Sequence, residues 1–285
     1  ALVAQTRQIT KQITNTVAQR LSANILQVFS GAKFENKLGG SSDSSMESLA
    51  FWGTTNFSQI TEDDGSQAHI DAGIYQFMGG FDKSVGDLFF GSALTYAYGE
   101  NEQVGLDSVS HTVGITPYVA YKLTDFMYIS GLAGYNYTGV IASGPDTDIH
   151  EYYTEANLAA FKEINSFIFK GRAGIRYNHS FASIKTGTDN SADELTWIGD
   201  AEVGYRFDNG LTTYTGVLFE HYDREVSETA AAAAATAYHE GVFFMRWGAD
   251  YPIADKISIG ANIETDLNNH DTSLISGGVN IRMEM

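Results

Sequence analysis

Cysteine is absent from these 285 residues, which removes thiolate nucleophiles, zinc–cysteine sites and disulfide staples together. Only three prolines occur, so long, fully paired strands meet few residues that cannot donate to a ladder. No window of about 18 apolar residues exists, and helical membrane spans are excluded on that ground. Basic residues are scarce. The 17 Lys and Arg stand against 35 Asp and Glu, and the net charge of −18 argues against nucleic acid as a partner. Mean hydropathy is −0.17 and hydrophobic content 43%. Those averages suit a membrane barrel, in which lumen residues dilute the lipid-facing ones. No signal peptide heads the chain, and Ala1 is expected to start a mature fragment with something upstream missing.

What is present is alternation. From about Leu49 to Met285 short segments carry an apolar residue at every second position, separated by polar turns. Near the end Ile257, Ile259, Ala261, Ile263 and Leu267 alternate with Ser258, Gly260, Asn262, Glu264 and Asp266. The next run places Ile275, Val279, Ile281 and Met283 against Ser276, Gly278, Asn280, Arg282 and Glu284. Successive strand residues face opposite sides, so each segment has one greasy and one polar face. A sandwich would turn the greasy face inward, but no helices exist to cover so many strands. A closed barrel with lipid outside and water inside fits better. The 16 Tyr, 17 Phe and 29 Gly agree, as girdle residues and as sites of close strand approach.

Twelve strands are expected, at 47–59, 68–82, 88–100, 108–122, 127–141, 149–161, 167–180, 194–207, 211–224, 238–251, 257–267 and 272–284. The connections alternate in character. Tight turns fall at Lys83-Ser84-Val85-Gly86-Asp87, Thr124-Asp125, Asp208-Asn209-Gly210 and Ala254-Asp255, with Asn209-Gly210 the strongest hairpin signal. Longer polar loops are expected at 61–67, 101–107, 142–148, 181–193 and 225–237. Turns periplasmic and loops extracellular is the outer-membrane arrangement. The six alanines at 230–235 are given no function.

Alternation also assigns charges to an interior. Phe167, Phe169, Ala173, Ile175 and Tyr177 would face lipid, and Lys170, Arg172 and Arg176 the lumen. Leu195, Trp197, Val203, Tyr205 and Phe207 would face out, with Asp200, Glu202 and Arg206 inside. Phe243, Met245, Trp247 and Tyr251 leave Arg246 and Asp250 inside. A lipid-facing charge at mid-bilayer costs about 2–4 kcal/mol, so such segregation is not accidental. Lumen salt bridges that solvate the wall are the plainest reading of these charges.

Residues 1–30 differ. Leu2, Ile9, Ile13, Val17, Leu21, Ile25 and Val28 form the stripe of an amphipathic helix, and the only charges are Arg7, Lys11 and Arg20. This segment therefore carries +3, leaving −21 for the remainder of a chain whose total is −18. At 1.5 Å per residue it spans roughly 40 Å, enough to cross a bilayer core, but the stripe is too interrupted for lipid. Taken alone it could pack on a soluble domain or form a coiled-coil arm. Beside a barrel it reads as a plug in the lumen. Residues 30–46, rich in Gly and Ser, read as a linker. The expected division is helix 1–30, linker 31–46 and barrel 47–285. The expected fold is an all-β membrane protein, an antiparallel transmembrane β-barrel of about twelve strands with an N-terminal α-helix in its lumen.

A basic polar helix, a Gly/Ser linker and about twelve strands resemble the translocator domain of bacterial autotransporters, the type V secretion family. Phe51-Trp52-Gly53, Gly79-Gly80-Phe81-Asp82, Phe90-Gly91-Ser92-Ala93-Leu94-Thr95-Tyr96 and Leu211-Thr212-Thr213-Tyr214-Thr215-Gly216 are similar to strands of that family. The resemblance implies an outer-membrane translocator that carries an N-terminal passenger, absent here, to the cell surface and keeps the helix in the pore. It implies outer-membrane lipid, the passenger and the barrel assembly machinery as partners, and a monomer. The terminal assembly signal is represented by Gly278, Ile281 and Met283, although the chain ends Arg282-Met283-Glu284-Met285 rather than in an aromatic residue. The self-cleaving subgroup uses an Asn-Asn pair, whereas Asn15 and Asn24 stand apart here. The lumen acids Asp200, Glu202, Asp250, Glu264 and Asp266 are expected to hold the helix through Arg7, Lys11 and Arg20. Lys170, Arg172, Arg176, Arg206, Arg246 and Arg282 are expected on the wall.

Enzymatic readings are poorly supported. His179 and Ser180 are adjacent and point to opposite faces, so they form no dyad. His111, His221 and His239 sit in no recognisable triad spacing. Asp63-Asp64 and Asp146/Asp148 could hold a divalent ion, but loop acids more often solvate a surface. No cofactor, metal or catalytic residue is expected. A porin-like channel is the alternative to the translocator.

Overall fold

The computed structural model describes residues 2–29, 47–63, 69–103, 107–142, 146–184, 190–228, 236–254, 256–267 and 272–284. Ala1, the alanine tract and the expected linker at 31–46 lie outside them. One helix, α1 (Leu2–Phe29), precedes twelve strands. These are β1 (Glu47–Asp63), β2 (His69–Val85), β3 (Leu88–Gln103), β4 (Ser108–Thr124), β5 (Met127–Ala142) and β6 (Thr147–Ile164), then β7 (Phe167–Ile184), β8 (Asn190–Arg206), β9 (Thr212–Glu228), β10 (Thr236–Ala254), β11 (Ile257–Asp266) and β12 (Thr272–Glu284). Each pairs antiparallel with the next, and β12 closes on β1 from Ala50↔Glu284 to Glu62↔Thr272. Closure leaves no open edge, so the backbone is satisfied within the sheet as a bilayer requires.

The two ends of the barrel differ. At the turn end, Gly86-Asp87 joins β2 to β3, Asp125-Phe126 joins β4 to β5, and Asn165-Ser166 joins β6 to β7. Positive φ at Gly86 and Asn165 marks two of these hairpins, and at Gly210 the turn from β8 to β9, as the right-handed twist of flanking strands favours. The other end carries the polar connections and is called the loop end here. The strands continue further toward it than alternation suggested. Of the loops expected at 142–148, 181–193 and 225–237, β6 takes in residue 147, β7 and β8 reach Ile184 and Asn190, and β9 and β10 reach Glu228 and Thr236. Ladder hydrogen bonds belong to the backbone, so pairing persists where both faces have become polar.

The face assignment of the lipid-side residues matches the structure. Phe167, Trp197, Tyr251, Ile263 and Val279 are exposed on the outer surface, while Arg176, Glu202 and Arg246 are buried inside. Four rings, of Trp52, Tyr118, Tyr153 and Tyr214, lie over inward glycines of the neighbouring strand. A Cβ at Gly134 would fall 2.1 Å from the Tyr153 ring and one at Gly91 2.6 Å from that of Tyr118. Glycine is required there because the ring occupies the place of its side chain.

Candidate functional site: the lumen and its helix

The middle of the stripe read from the sequence is buried in α1, while the side chains of Leu2, Ile25 and Val28 lie outside the described ones. Ile9, Ile13, Val17 and Leu21 are at most 1% exposed and join a cluster with Ile74, Met78, Ala93 and Ala97. The helix lies against β2–β6, to one side of the barrel. Its direction follows from its charges. Arg7 stacks 4.6 Å from the ring centre of Tyr222, in the loop-end half of β9. Arg20 donates from Nε to Asp82 Oδ2 at 2.8 Å, near the turn end of β2. The chain therefore enters at the loop end and runs to the turn end, where β1 begins.

Between these points the contacts divide the lumen in two. From Gln8 to Asn15 every helix residue is buried. Thr10 donates to Glu151, which also accepts from Asn136 Nδ2 at 3.0 Å. Arg176 donates to Thr14 Oγ1, and from Nη2 to Glu220 Oε1 at 2.8 Å. Arg172 donates from Nη2 to Asn15 Oδ1 at 3.0 Å and from Nη1 to Glu155 Oε1 at 3.3 Å. Lys11 Nζ lies 2.8 Å from Glu264 Oε1, 3.9 Å from Glu220 Oε2 and 3.0 Å above the Phe244 ring centre. Gln8 and Gln12 both donate to Ser58 Oγ. A smaller pocket remains in this layer, between Lys11, Gln12 and Asn15 of the helix and Asn262, Glu264 and Ser276 of β11 and β12.

Toward the turn end a cavity of about 120 Å³ opens beside the helix. Thr16, Gln19, Arg20 and Ser22 form its helix side. Lys170, Arg172, Asp200, Glu202, Arg246 and Asp250 form the far wall. These wall charges pair among themselves. Lys170 meets Glu202 at 2.6 Å, and Arg246 meets Asp200 at 3.0 Å. At the bottom Trp52 Nε1 donates to Asp82 Oδ1 at 3.2 Å and to Tyr118 Oη at 3.1 Å. Tyr118 in turn donates to Asp82. Ser22 and Tyr128 share a hydrogen bond of 2.6 Å.

Of the acids expected to hold the helix, Glu264 does so through Lys11. Asp200 and Glu202 instead pair with wall cations, and Asp250 lines the cavity. Asp266 accepts from the Leu274 amide at 3.0 Å. Arg206 pairs with Glu163 at 2.8 Å, and Arg282 with Glu284 at 2.7 Å. The acids that reach Thr10, Arg20 and Arg176 are Glu151, Asp82, Glu155 and Glu220, which the sequence reading did not single out. Their signal was inward parity, on β2, β6 and β9. Gly278 sits over the Asn56 side chain, 2.3 Å from where a Cβ would lie, whereas Ile281 and Met283 are exposed on the outer surface of β12. Among the described residues no group of three or more His, Asp or Glu is placed to hold a metal ion.

No family model and no curated protein matches the sequence. Solved structures do match. The translocator domain of the autotransporter NalP from Neisseria meningitidis superposes with a TM-score of 0.66 at 12% identity, covering 95% of this chain and 97% of that one. The fold is that of an autotransporter translocator. The β-domain of the Bordetella autotransporter BrkA superposes on this translocator fold with a TM-score of 0.66 at 12% identity, covering 84% of this chain and all of the other. An outer-membrane channel from Pseudomonas putida follows with a TM-score of 0.57 at 10% identity, covering 86% of this chain and all of its own. At such identities the likeness to the translocators is one of fold.

Proposed function

We propose that this chain is a bacterial outer-membrane translocator that supports secretion and surface display of an N-terminal passenger, after which α1 plugs the pore. The observation that carries this reading is the direction of the helix. A segment that enters at the loop end and leaves where β1 starts joins anything upstream of it to the far side of the barrel. On this reading the loops are extracellular and the turns periplasmic. The chain divides into a pore-spanning helix (1–30), a linker (31–46) and a barrel (47–285), and works as a monomer. Lys11, Arg20, Arg172, Arg176 and Glu264 hold the helix and perform no chemistry, so the role is non-enzymatic. Gly278, Ile281 and Met283 on β12 present the assembly signal to the barrel assembly machinery.

The test is topological. A cysteine placed at Ala1 should react with an impermeant thiol reagent on intact cells, and one at Ser42 should not. The reverse pattern would overturn the direction of threading and the secretion reading with it. A porin-like channel is the second reading, favoured by the cavity beside the helix and by the likeness to the Pseudomonas channel. It gains if removing residues 1–30 leaves single-channel conductance in planar bilayers unchanged.

A further inference from the structure

The outer surface has two unlike rims. At the turn end the outward side chains include Phe81, Phe90, Phe126, Phe167, Phe207 and Ile253 with Tyr121, Tyr205 and Tyr251; the exposed Lys162 and Lys256 lie there too, and no described histidine does. The loop-side half is built differently. His111 on β4 hydrogen-bonds Tyr96 Oη at 3.0 Å, with the Tyr98 ring 5.4 Å from its own. His150 on β6 hydrogen-bonds Tyr135 Oη at 2.7 Å, with Tyr137 at 5.4 Å. His179 on β7 meets Asp193 Oδ1 at 2.9 Å, and Tyr177 donates to the same carboxylate. On β9, His221 lies 3.6 Å from Asp223 and pairs in register with Trp197. Tyr98 and Tyr137 also donate to Glu100 and Asp148. Four of the seven histidines thus repeat one arrangement around β3–β9: an imidazole, an aromatic ring and a carboxylate, turned away from the lumen.

Hydrocarbon cannot satisfy these groups, so the arc marks headgroup level. Among the described residues, no lysine or arginine points outward in that half, which leaves no fixed cation to read a phosphate. What remains is a set of ring faces that can stack on C–H surfaces. Beside them stand hydroxyl, imidazole and carboxylate groups that donate to or accept from hydroxyls. That is the chemistry of a carbohydrate. We propose that the arc on β3–β9 is a contact surface for the saccharide headgroup of a glycolipid in the leaflet at the loop end. The proposal takes the identity of that leaflet from the translocator reading, but its test does not.

The full chain is reconstituted in three kinds of vesicle: phosphatidylethanolamine with phosphatidylglycerol, the same mixture with lipopolysaccharide, and phosphatidylethanolamine with cardiolipin at matched charge. The readout is the midpoint temperature at which the folded band is lost on gels. Lipopolysaccharide should raise that midpoint by about 4 °C over both other mixtures. H111A/H150A/H179A/H221A should lose most of the gain. Y98F/Y137F, which removes only two hydroxyls, should lose part of it and guards against a variant that fails to fold. A control at the other rim, F81A/F90A, should lower all three midpoints and keep the difference. Equal midpoints in the three lipids, an equal gain from cardiolipin, or a gain that survives both arc variants would each overturn the proposal. None of these results bears on the thiol-labelling pattern that tests translocation.

Discussion

The loop-end and turn-end halves of the lumen use the same kinds of residue to different effect. From Gln8 to Asn15 charged and amide groups of β6, β7 and β9 are bonded to the buried helix, with Arg176 and Glu220 wholly enclosed. From Thr16 to Ser22 the far wall stands off, and Lys170, Glu202 and Asp250 border open space. A pair is worth what its surroundings allow. Removing one partner from an enclosed pair strands the other charge, whereas solvent screens the same loss at a wet wall. The enclosed bonds to the helix are therefore concentrated in two of its turns, and the rest of the lumen borders the larger cavity.

That contrast can be broken outright by deleting residues 1–30. Single-channel conductance in planar bilayers should rise several-fold and the unfolding midpoint should fall, because the helix is removed with its enclosed bonds and its apolar stripe. Next in size is Arg176→Met, which leaves Glu220 enclosed without its guanidinium and Glu155 with Arg172 alone. A loss of about 3–5 kcal/mol is expected in urea unfolding of the folded barrel, partly restored by adding Glu220→Gln. Lys11→Met should cost about 1–3 kcal/mol by leaving Glu264 with only Arg246 at 3.8 Å, and should raise the frequency of brief openings in bilayer recordings. Lys170→Met, a quarter exposed at the cavity wall, leaves the buried Glu202 unpaired and should cost about 1–2 kcal/mol, less than Arg176→Met, and leave openings unchanged. If Lys170 and Arg176 variants lose equal stability, the division of the lumen fails.

The smallest effect lies outside both halves. Lys122 Nζ meets Asp125 Oδ1 at 2.8 Å at an exposed turn and holds that carboxyl below its ordinary range through a hydrogen bond and its charge. A carboxyl so lowered contributes at neutral pH, and the contribution is lost as acid protonates it. The midpoint of Asp125→Asn should therefore lie slightly below that of the unaltered protein at pH 7. The two should converge below about pH 3.

Strand number, lumen charges and the apolar stripe were legible in the sequence because each is a matter of period. Phe167 and Arg172, or Ile259 and Glu264, declare opposite faces without knowledge of any neighbour. The ends of the ladders were not legible. Beyond the lipid band, residues such as Asp193 and Glu225 are polar on a strand that still pairs, so composition marks the membrane rather than the strand. Nor could period choose the partners of Arg7, Lys11 and Arg20. That choice depends on the rotation of α1 and on which wall it leans against, and parity assigns Asp82, Glu151 and Glu220 to the interior without placing them at a height. The aromatic-on-glycine contacts, Tyr153 on Gly134 among them, needed the register between strands.

The spacing of Ile9, Ile13, Val17 and Leu21 has a mechanical corollary. Each stands four residues from the next, so sliding α1 by about one turn, roughly 5.4 Å, sets each apolar side chain close to where its neighbour had been. The greasy track is nearly periodic along the pore axis and resists such steps weakly. Lys11 and Arg20 are not periodic: one step separates Lys11 from Glu264 and Arg20 from Asp82 together. The stripe thus works as a rail and the two cations as detent pins, which stop the helix at a single station along its travel.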